Sequence, residues 1–212
     1  MEFWQQLDEI RTRWNVLEHP FYTRWSRGEL TEDELAVYAG EYRHAVVALA
    51  DASERAAGQA TGEQAAVLTQ HAREERAHVN LWDAFTKAAG GESTRTAAPE
   101  TAECAVAWAG EQRDLLQGLV AMYAIESAQP AISATKLEGL KEHYDYPEGP
   151  ATAYFALHAV LDKEHAETEK TLIEPMLDGA DVDGLLVEAE QVLAANWRLL
   201  DGVERLNGRV AA

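Results

Sequence analysis

Apolar side chains recur at steps of three and four residues along most of the chain, and this spacing constrains the fold more than any other feature. Such steps place side chains on one face of an α-helix. Near the start, one such face consists of Phe3, Leu7, Ile10 and Trp14. No sustained alternation of apolar and polar residues bounded by turn signals, which is typical of strands, is found in the sequence. The sequence therefore predicts an all-α protein.

Capping motifs indicate where several of these helices begin. Thr31 followed by Glu34 has the spacing of a capping box, in which the threonine hydroxyl accepts from a backbone N–H that otherwise lacks a partner. Thr61 followed by Gln64 has the same spacing. These motifs predict one helix from Glu32 to about residue 57 and a second from Thr61 to the glycine pair at residues 90–91.

Proline residues shape the second half of the chain. A long helix is predicted from about Glu111 to His143, with a kink at Ser127–Gln129 because Pro130 removes one helical hydrogen bond. Pro150 is placed to begin the next helix, which extends to about Ile173. There is no internal repeat and no convincing linker. We therefore predict seven or eight helices in a single domain over residues 1–212.

The charge balance excludes several classes of function. The chain has 37 acidic and 18 basic side chains and a net charge of −19, so most of its surface would repel nucleic acid. No apolar run approaches the roughly 18 residues that a membrane span needs. The single cysteine, Cys104, excludes an internal disulfide framework. These features predict a cytoplasmic protein without nucleic-acid or membrane partners.

Three sets of imidazole and carboxylate side chains have the spacing or the setting of metal ligands. In LHAVLDKEH, steps of four and three place three side chains on one helical face: His158, Asp162 and His165. In AREERAHVNLW, a pair four residues apart shares a face, with Glu75 adjacent: Glu74 and His78. The third is Glu126, the only charge in the apolar and small-residue run 118–129.

Together these sets predict a site for two metal ions, because a carboxylate in an apolar run is costly unless it is neutral or bound to a cation. Mixed imidazole and carboxylate ligands favour iron or manganese over a structural zinc. Ordinary alternatives remain open from the residues alone: a surface or core histidine cluster, an exposed ion pair at Glu74 and His78, or a Glu126 side chain that caps the kink. Spacing alone gives no substrate.

Several segments in order resemble one family over residues 17 to about 170: LEHPFY, GELT, HVNLW, YAIESAQPAISATKLEGLKEHYDY, AYFALH and LDKEHAETEK. The chain resembles the heme-oxygenase-like helical family of thiaminase-type and PQQ-synthesis-type proteins, and more closely its chlamydial members and their bacterial relatives. The resemblance implies a di-metal oxidase that makes p-aminobenzoate (4-aminobenzoate) from its own side chains, with dioxygen and a reductant as co-substrates. It also implies a homodimer.

Carried over to this sequence, the resemblance implies that Tyr22 supplies the aromatic ring, with Tyr38 as its aromatic neighbour. Lys136 supplies the amino group, and Tyr154 is a further pocket tyrosine. The implied metal ligands are Glu74, His78, Glu126, His158, Asp162 and His165.

The sequence departs from this family at two positions. Relatives space the first glutamate and histidine ligands seven residues apart, whereas Glu74 and His78 are four apart and His71 stands at the seven-residue position. This leaves His71, Glu74 and Glu75 open as the first ligand, and we predict Glu74. Ile125 stands where a relative has tyrosine.

Three other functions remain as alternatives. The same ligands would serve an oxygenase that acts on a diffusible small molecule. A metal-free member of the family, of the PQQ-synthesis or thiaminase type, is a second alternative. A pure interaction protein is a third, which only the resemblance suggests. We do not expect heme, because the acidic chain lacks an obvious basic patch for the propionates.

Overall fold

The computed structural model describes residues 2–209, and these residues form α-helices joined by short loops, with no strand. The predicted all-α class is therefore confirmed. The helices are α1 (Phe3–Arg13), α2 (Pro20–Trp25), α3 (Glu32–Gln59), α4 (Gly62–Ala88), α5 (Pro99–Ala109), α6 (Leu115–Glu126), α7 (Gln129–His143), α8 (Ala153–Ile173) and α9 (Val182–Leu206). Two 3₁₀ turns lie at Val16–Glu18 and Glu174–Met176. Within this part of the chain, no helix is long and apolar enough to cross a membrane.

The two predicted capping boxes have different outcomes. The Thr31 hydroxyl accepts from the Glu34 N–H while the Glu34 carboxylate accepts from the Thr31 N–H, as predicted. Thr61 precedes α4, but its side chain makes no capping hydrogen bond, so the prediction of a second capping box is wrong. Thr61 has the extended backbone of an N-cap residue, but Gly62, the first residue of α4, has a left-handed φ of 61° instead of a helical one.

The predicted kink at Pro130 is a complete break. α6 ends at Glu126 and α7 begins at Gln129, with Pro130 in the first turn of α7. The helix also starts later than predicted, because Asp114 caps α6 in a box with Gln117. When α6 and α7 are counted as one broken helix, residues 2–209 contain eight α-helices, which agrees with the predicted seven or eight. The break separates Glu126 from Lys136, which lies on α7.

The helices pack so that α4, α6 and α8 face one another inside the bundle. α3 packs along α4 and α5, and α9 packs on α5, α6 and α1. α8 packs against α7, α6 and α4. Phe85 of α4 and Phe155 of α8 are fully buried at this crossing, and each such burial stabilises the fold by about 1.5–3 kcal/mol. The core thereby fixes the rotation of α4 and α8 about their axes.

Close contact with α2 positions α7. The Trp25 indole N–H donates to the Lys136 carbonyl oxygen at 3.1 Å. A side chain at Gly139 would meet the Trp25 ring at 2.6 Å, so only glycine allows the two helices to approach this closely. The Lys136 backbone is therefore held against α2.

Candidate metal centre and the adjoining lysine cage

Seven imidazole and carboxylate side chains converge between α4, α6 and α8. All are buried, so the cluster is inside the bundle rather than on its surface. α4 contributes three of them, α6 one and α8 three: His71, Glu75, His78, Glu126, His158, Asp162 and His165.

These side chains form three overlapping groups whose ligand atoms lie within 4.8 Å of one another. The first group is His71, Glu126 and His165, and the second is Glu75, His78 and His158. The third consists of Glu75, Asp162 and His165. Glu75 and His165 each belong to two groups, so the three groups overlap through these two side chains.

The shortest separations run between imidazole nitrogens and carboxylate oxygens. Glu126 Oε1 lies 3.2 Å from His71 Nε2, and Glu126 Oε2 lies 3.4 Å from His165 Nδ1. Glu75 Oε1 lies 3.0 Å from His78 Nδ1 and 3.7 Å from His165 Nδ1. Glu75 therefore lies between the imidazoles of α4 and α8.

Several buried atoms of the cluster lack a hydrogen-bond partner among the described residues. These are His71 Nε2, His158 Nε2, His165 Nδ1 and both carboxylate oxygens of Glu126 and Asp162. A buried polar atom without a partner destabilises the fold, so a cluster of such atoms indicates that a further group binds there. Imidazole nitrogens and carboxylate oxygens together suit a divalent transition metal.

The pKa values show how the cluster balances its charge by itself. Burial and the charges of Glu126 and Glu75 raise the pKa of Asp162 to about 9. Burial opposes protonation of His165, but the adjacent Glu126 carboxylate outweighs it and raises the pKa to about 9. Burial lowers the pKa of His158 to about 4. Protons on Asp162 and His165 thus supply positive charge that a bound cation would replace.

Beside the metal cluster, Lys136 is enclosed in an aromatic cage. Its amine Nζ lies 4.6 Å from the ring centroid of Tyr42, 5.1 Å from that of Tyr22 and 5.6 Å from that of Tyr38. Trp82 and Phe155 complete the cage, each at 5.7 Å. Lys136 is fully buried and its Nζ has no hydrogen-bond partner among residues 2–209. Burial lowers the pKa of this amine to about 7.

Aromatic contacts connect the cage with the metal cluster. The Tyr154 ring stacks on the His158 imidazole with centroids 3.8 Å apart, and the Tyr154 carbonyl oxygen lies 2.7 Å from His158 Nδ1. Trp82 lies 4.8 Å from Tyr154 and 5.9 Å from Tyr38, centroid to centroid. The Tyr38 hydroxyl is hydrogen-bonded to the Tyr22 hydroxyl at 2.8 Å. The cage and the cluster are therefore parts of one continuous site.

A family model described as iron-containing redox enzyme matches residues 37–198. The chain belongs to this family of iron-containing redox enzymes. It is 33% identical to a 4-aminobenzoate synthase of Chlamydia muridarum, over 95% of this chain and 89% of the relative. It is 32% identical to that of Chlamydia trachomatis (95% and 91% covered) and 29% identical to that of Nitrosomonas europaea (95% and 90% covered).

Solved structures confirm the predicted heme-oxygenase-like fold of this iron-containing redox enzyme. A domain of unknown function with that fold from Shewanella denitrificans has a TM-score of 0.79, at 20% identity, over 98% of this chain and 94% of that chain. A TenA homologue from P. horikoshii has a TM-score of 0.75, at 15% identity, over 98% and 100%. With the synthases named above, family membership makes the protein an oxidoreductase.

The structure brings five of the six sequence-predicted ligands of this redox enzyme into the cluster, and Glu74 lies outside its three groups. The Glu74 side chain is 35% exposed, whereas that of Glu75 is 2% exposed. Glu74 accepts from the Gln70 amide at 2.7 Å and lies 3.1 Å from His165 Nε2, the ring nitrogen opposite the one that faces the cluster. Glu74 is therefore placed to orient His165, whereas Glu75 and His71, which the sequence left open as alternatives to Glu74, both lie in the cluster.

The site also contains residues that the sequence interpretation did not single out. Tyr42 and Trp82 belong to the cage, and each lies four residues beyond a predicted site residue on the same helix: Tyr38 and His78, respectively. Glu169 is fully buried one turn after His165, outside the three groups. Burial, followed by the charges of Glu126 and Glu75, raises its pKa well above the usual range. The four-residue steps were a signal that could have found all three.

Proposed function

We propose that this enzyme is a metal-dependent oxidase that forms 4-aminobenzoate from its own side chains, with the ring taken from Tyr22 and the amino group from Lys136. The observation that carries the proposal is the buried Lys136 amine among the rings of Tyr22 and Tyr38, adjoining a cluster of metal-binding side chains. The names of the synthases to which the chain is similar support the same reaction.

We assign two cation positions to the cluster. His71, Glu126 and His165 would hold one ion, and Glu75, His78, His158 and Asp162 would hold the other, with Glu75 and His165 close to both. This assignment replaces Glu74 with Glu75 and adds His71 to the ligands. The donor set suits iron or manganese, and a bound pair of such ions would supply dioxygen activation and accept electrons.

Burial in the Tyr22–Tyr38 pair keeps the proposed ring donor in its protonated form. Burial, followed by the charge of Tyr42, raises the pKa of Tyr22 well above 10, so Tyr22 stays a neutral phenol at physiological pH. Oxidation of a phenol releases one electron and one proton. The Tyr38 hydroxyl, 2.8 Å away, is hydrogen-bonded to the Tyr22 hydroxyl and holds it in one orientation. Dioxygen would accept the electron and the proton, and an external reductant would supply the further electrons that its reduction requires.

The cage prepares Lys136 to act as a nitrogen donor. An amine attacks with its lone pair, which is available only when the nitrogen is neutral. Because burial lowers its pKa to about 7, a substantial fraction of Lys136 is neutral at physiological pH. The surrounding rings exclude water from the nitrogen, and the Trp25 hydrogen bond fixes the backbone from which it extends.

Mass spectrometry of the whole chain and of the peptide that contains Tyr22 tests the proposal. The protein is loaded with ferrous iron or with iron and manganese, then given a reductant and air. We expect the loss of side-chain mass at Tyr22 and at most one 4-aminobenzoate per chain. Tyr146→Phe, on a loop away from the cage, serves as the control for Tyr22→Phe.

Two outcomes would replace the proposal with another function. Many turnovers with an intact Tyr22 would indicate an oxygenase that acts on a diffusible substrate. Full activity in protein that elemental analysis finds to be free of metal would indicate a metal-free enzyme.

A further inference from the structure

A second cavity, outside the metal cluster and the lysine cage, opens beside the break between α6 and α7. It has a volume of about 350 Å³ and lies between α1, this break and α9. Its solvent-facing rim is formed by polar side chains of α1 and the turn after it: Asp8, Thr12 and Asn15. Its size is sufficient for a small aromatic molecule.

Three lining residues carry buried polar atoms that lack a hydrogen-bond partner among the described residues. They are the Nε of Arg11, the hydroxyl of Ser127 and the amide oxygen Oδ1 of Asn196. The first two are hydrogen-bond donors at one end of the cavity, since the Arg11 guanidinium also donates to the Ser127 carbonyl oxygen at 3.0 Å. The third is an acceptor on α9, and Asn196 is only 4% exposed. Such atoms require a partner.

Between these polar atoms the wall of the cavity is apolar. It is formed by buried side chains from α5, α6, α7 and α9: Trp108, Ile125, Ile132 and Leu193. A ligand that fits must therefore have an apolar body, with acceptor atoms for Arg11 and Ser127 and a donor for Asn196.

The cavity adjoins the wall of the lysine cage. Ile132 precedes Lys136 by one turn of α7. The ring centroid of Trp108 is 6.2 Å from that of Tyr42, which belongs to the cage. The Tyr42 hydroxyl is close to the Asn196 amide. Tyr42 therefore contacts the Lys136 amine and also lies beside two residues that line this cavity.

We propose that this cavity binds a small aromatic acid with a para amino group, as 4-aminobenzoate has, and holds it on its way out of the cage. The carboxylate accepts from the Arg11 Nε–H and the Ser127 hydroxyl, the ring packs against Ile125 and Trp108, and the amino group donates to Asn196 Oδ1. The choice of 4-aminobenzoate rests on the proposed function, whereas the pattern of donors, acceptor and apolar wall does not. The enclosed cage requires such an exit, because Tyr22 and Lys136 are buried.

Calorimetric titration of the full chain, before any turnover, tests the proposal with three probes: 4-aminobenzoate, benzoate and aniline. We expect 4-aminobenzoate to bind at least about fivefold more tightly than either of the others, since each lacks one polar end and forgoes about one hydrogen bond. The same affinity for all three probes, or no binding of 4-aminobenzoate at millimolar concentration, would overturn the proposal.

Single substitutions test which residue binds the carboxylate of the ligand and which binds its amino group. Ser127→Ala should weaken 4-aminobenzoate and benzoate and leave aniline unchanged, whereas Asn196→Leu should weaken 4-aminobenzoate and aniline and leave benzoate unchanged. Asn207→Leu is the matched control, because Asn207 also carries a buried unpaired amide atom but does not line the cavity. Equal effects of Ser127→Ala on all three probes would contradict the assignment.

A filling variant covers the case in which Asn196→Leu does not fold. Ala131 is exposed at the cavity edge, so Ala131→Phe should fold and abolish binding of all three probes. Unchanged affinity in Ala131→Phe would overturn the proposal. The Tyr22 mass measurement is independent of these titrations, so consumption of Tyr22 without binding rejects the cavity alone, and binding without consumption rejects the proposed function alone.

Discussion

The hydroxyl oxygens of Tyr22 and Tyr38 lie 2.8 Å apart in a fully buried pair, and neither ring faces solvent. The two hydroxyls are hydrogen-bonded to each other, so removal of one leaves the other buried and unpaired, at a cost of about 1–3 kcal/mol. The orientation of the Tyr22 hydroxyl therefore depends on the hydroxyl of Tyr38.

Tyr38→Phe removes the hydrogen-bond partner of the Tyr22 hydroxyl while keeping the ring. We expect side-chain loss at Tyr22 to slow by about tenfold or more, with unchanged metal content, because the Tyr22 ring loses the contact that orients it for reaction. Peptide mass spectrometry and elemental analysis measure the two quantities. Tyr146→Phe should have no effect on either, and a normal rate in Tyr38→Phe would show that this hydrogen bond does not position Tyr22 for reaction.

Glu75→Gln and Glu74→Gln separate the two adjacent glutamates. Glu75 belongs to two of the three ligand groups, so Glu75→Gln should lose at least one bound ion per chain after reconstitution. Glu74→Gln should retain both ions, with a weaker effect through His165, as expected for a residue that orients a ligand. Elemental analysis decides, and greater metal loss in Glu74→Gln than in Glu75→Gln would restore the assignment made from the sequence.

Lys136→Met should change stability in a pH-dependent way. The pKa of Lys136 falls from 10.5 to about 7 because of burial, so the unfolded state binds more protons between these values. The wild-type free energy of unfolding therefore rises with pH from about 7 to 10.5 through this group, and the variant lacks that rise. We expect Lys136→Met to be more stable than wild type at pH 7, by on the order of a few kcal/mol, and this difference in the free energy of unfolding to decrease by pH 10. Denaturant unfolding at both pH values measures the difference, and a difference that does not depend on pH would contradict the prediction.

Metal binding should release protons. Asp162 and His165 each have a pKa of about 9, so both are protonated at pH 7 and must lose their protons to act as ligands. Affinity for Mn²⁺ should therefore increase from pH 6 to pH 9. Titration calorimetry in buffers of different ionisation enthalpy counts the protons, and Asp162→Asn should release about one fewer. Identical proton release in wild type and Asp162→Asn would refute the role of this carboxyl group.

Helical spacing predicted most of the site because the ligands of α8 share one face of a single helix. His158, Asp162 and His165 converge as their steps of four and three require. The choice between Glu74 and Glu75 depends on the rotation of α4, which is set by the burial of distant side chains such as Trp82 and Phe85. Local sequence does not specify that rotation.

The aromatic cage around Lys136 could not be predicted from local spacing, because it is formed by residues that are far apart in the sequence. Tyr42 and Lys136 lie 94 positions apart in the sequence, and their meeting follows from how α3 and α7 pack. The resemblance to relatives identified Tyr22, Tyr38 and Lys136, whereas Tyr42 and Trp82 emerged only from the structure. The missing cap at Thr61 has a local cause, because Gly62 adopts a positive φ that the capping motif does not accommodate.

The complete burial of Tyr22 gives the proposed reaction a consequence for the lifetime of the protein. Removal of a fully packed aromatic side chain leaves a void, and such voids destabilise proteins by about 3–5 kcal/mol. That loss is a large part of the 5–15 kcal/mol by which folded proteins are usually stable. A molecule that has reacted once would therefore unfold far more often than an unreacted one. Proteases would remove spent copies first, so the supply of product would be governed by protein synthesis.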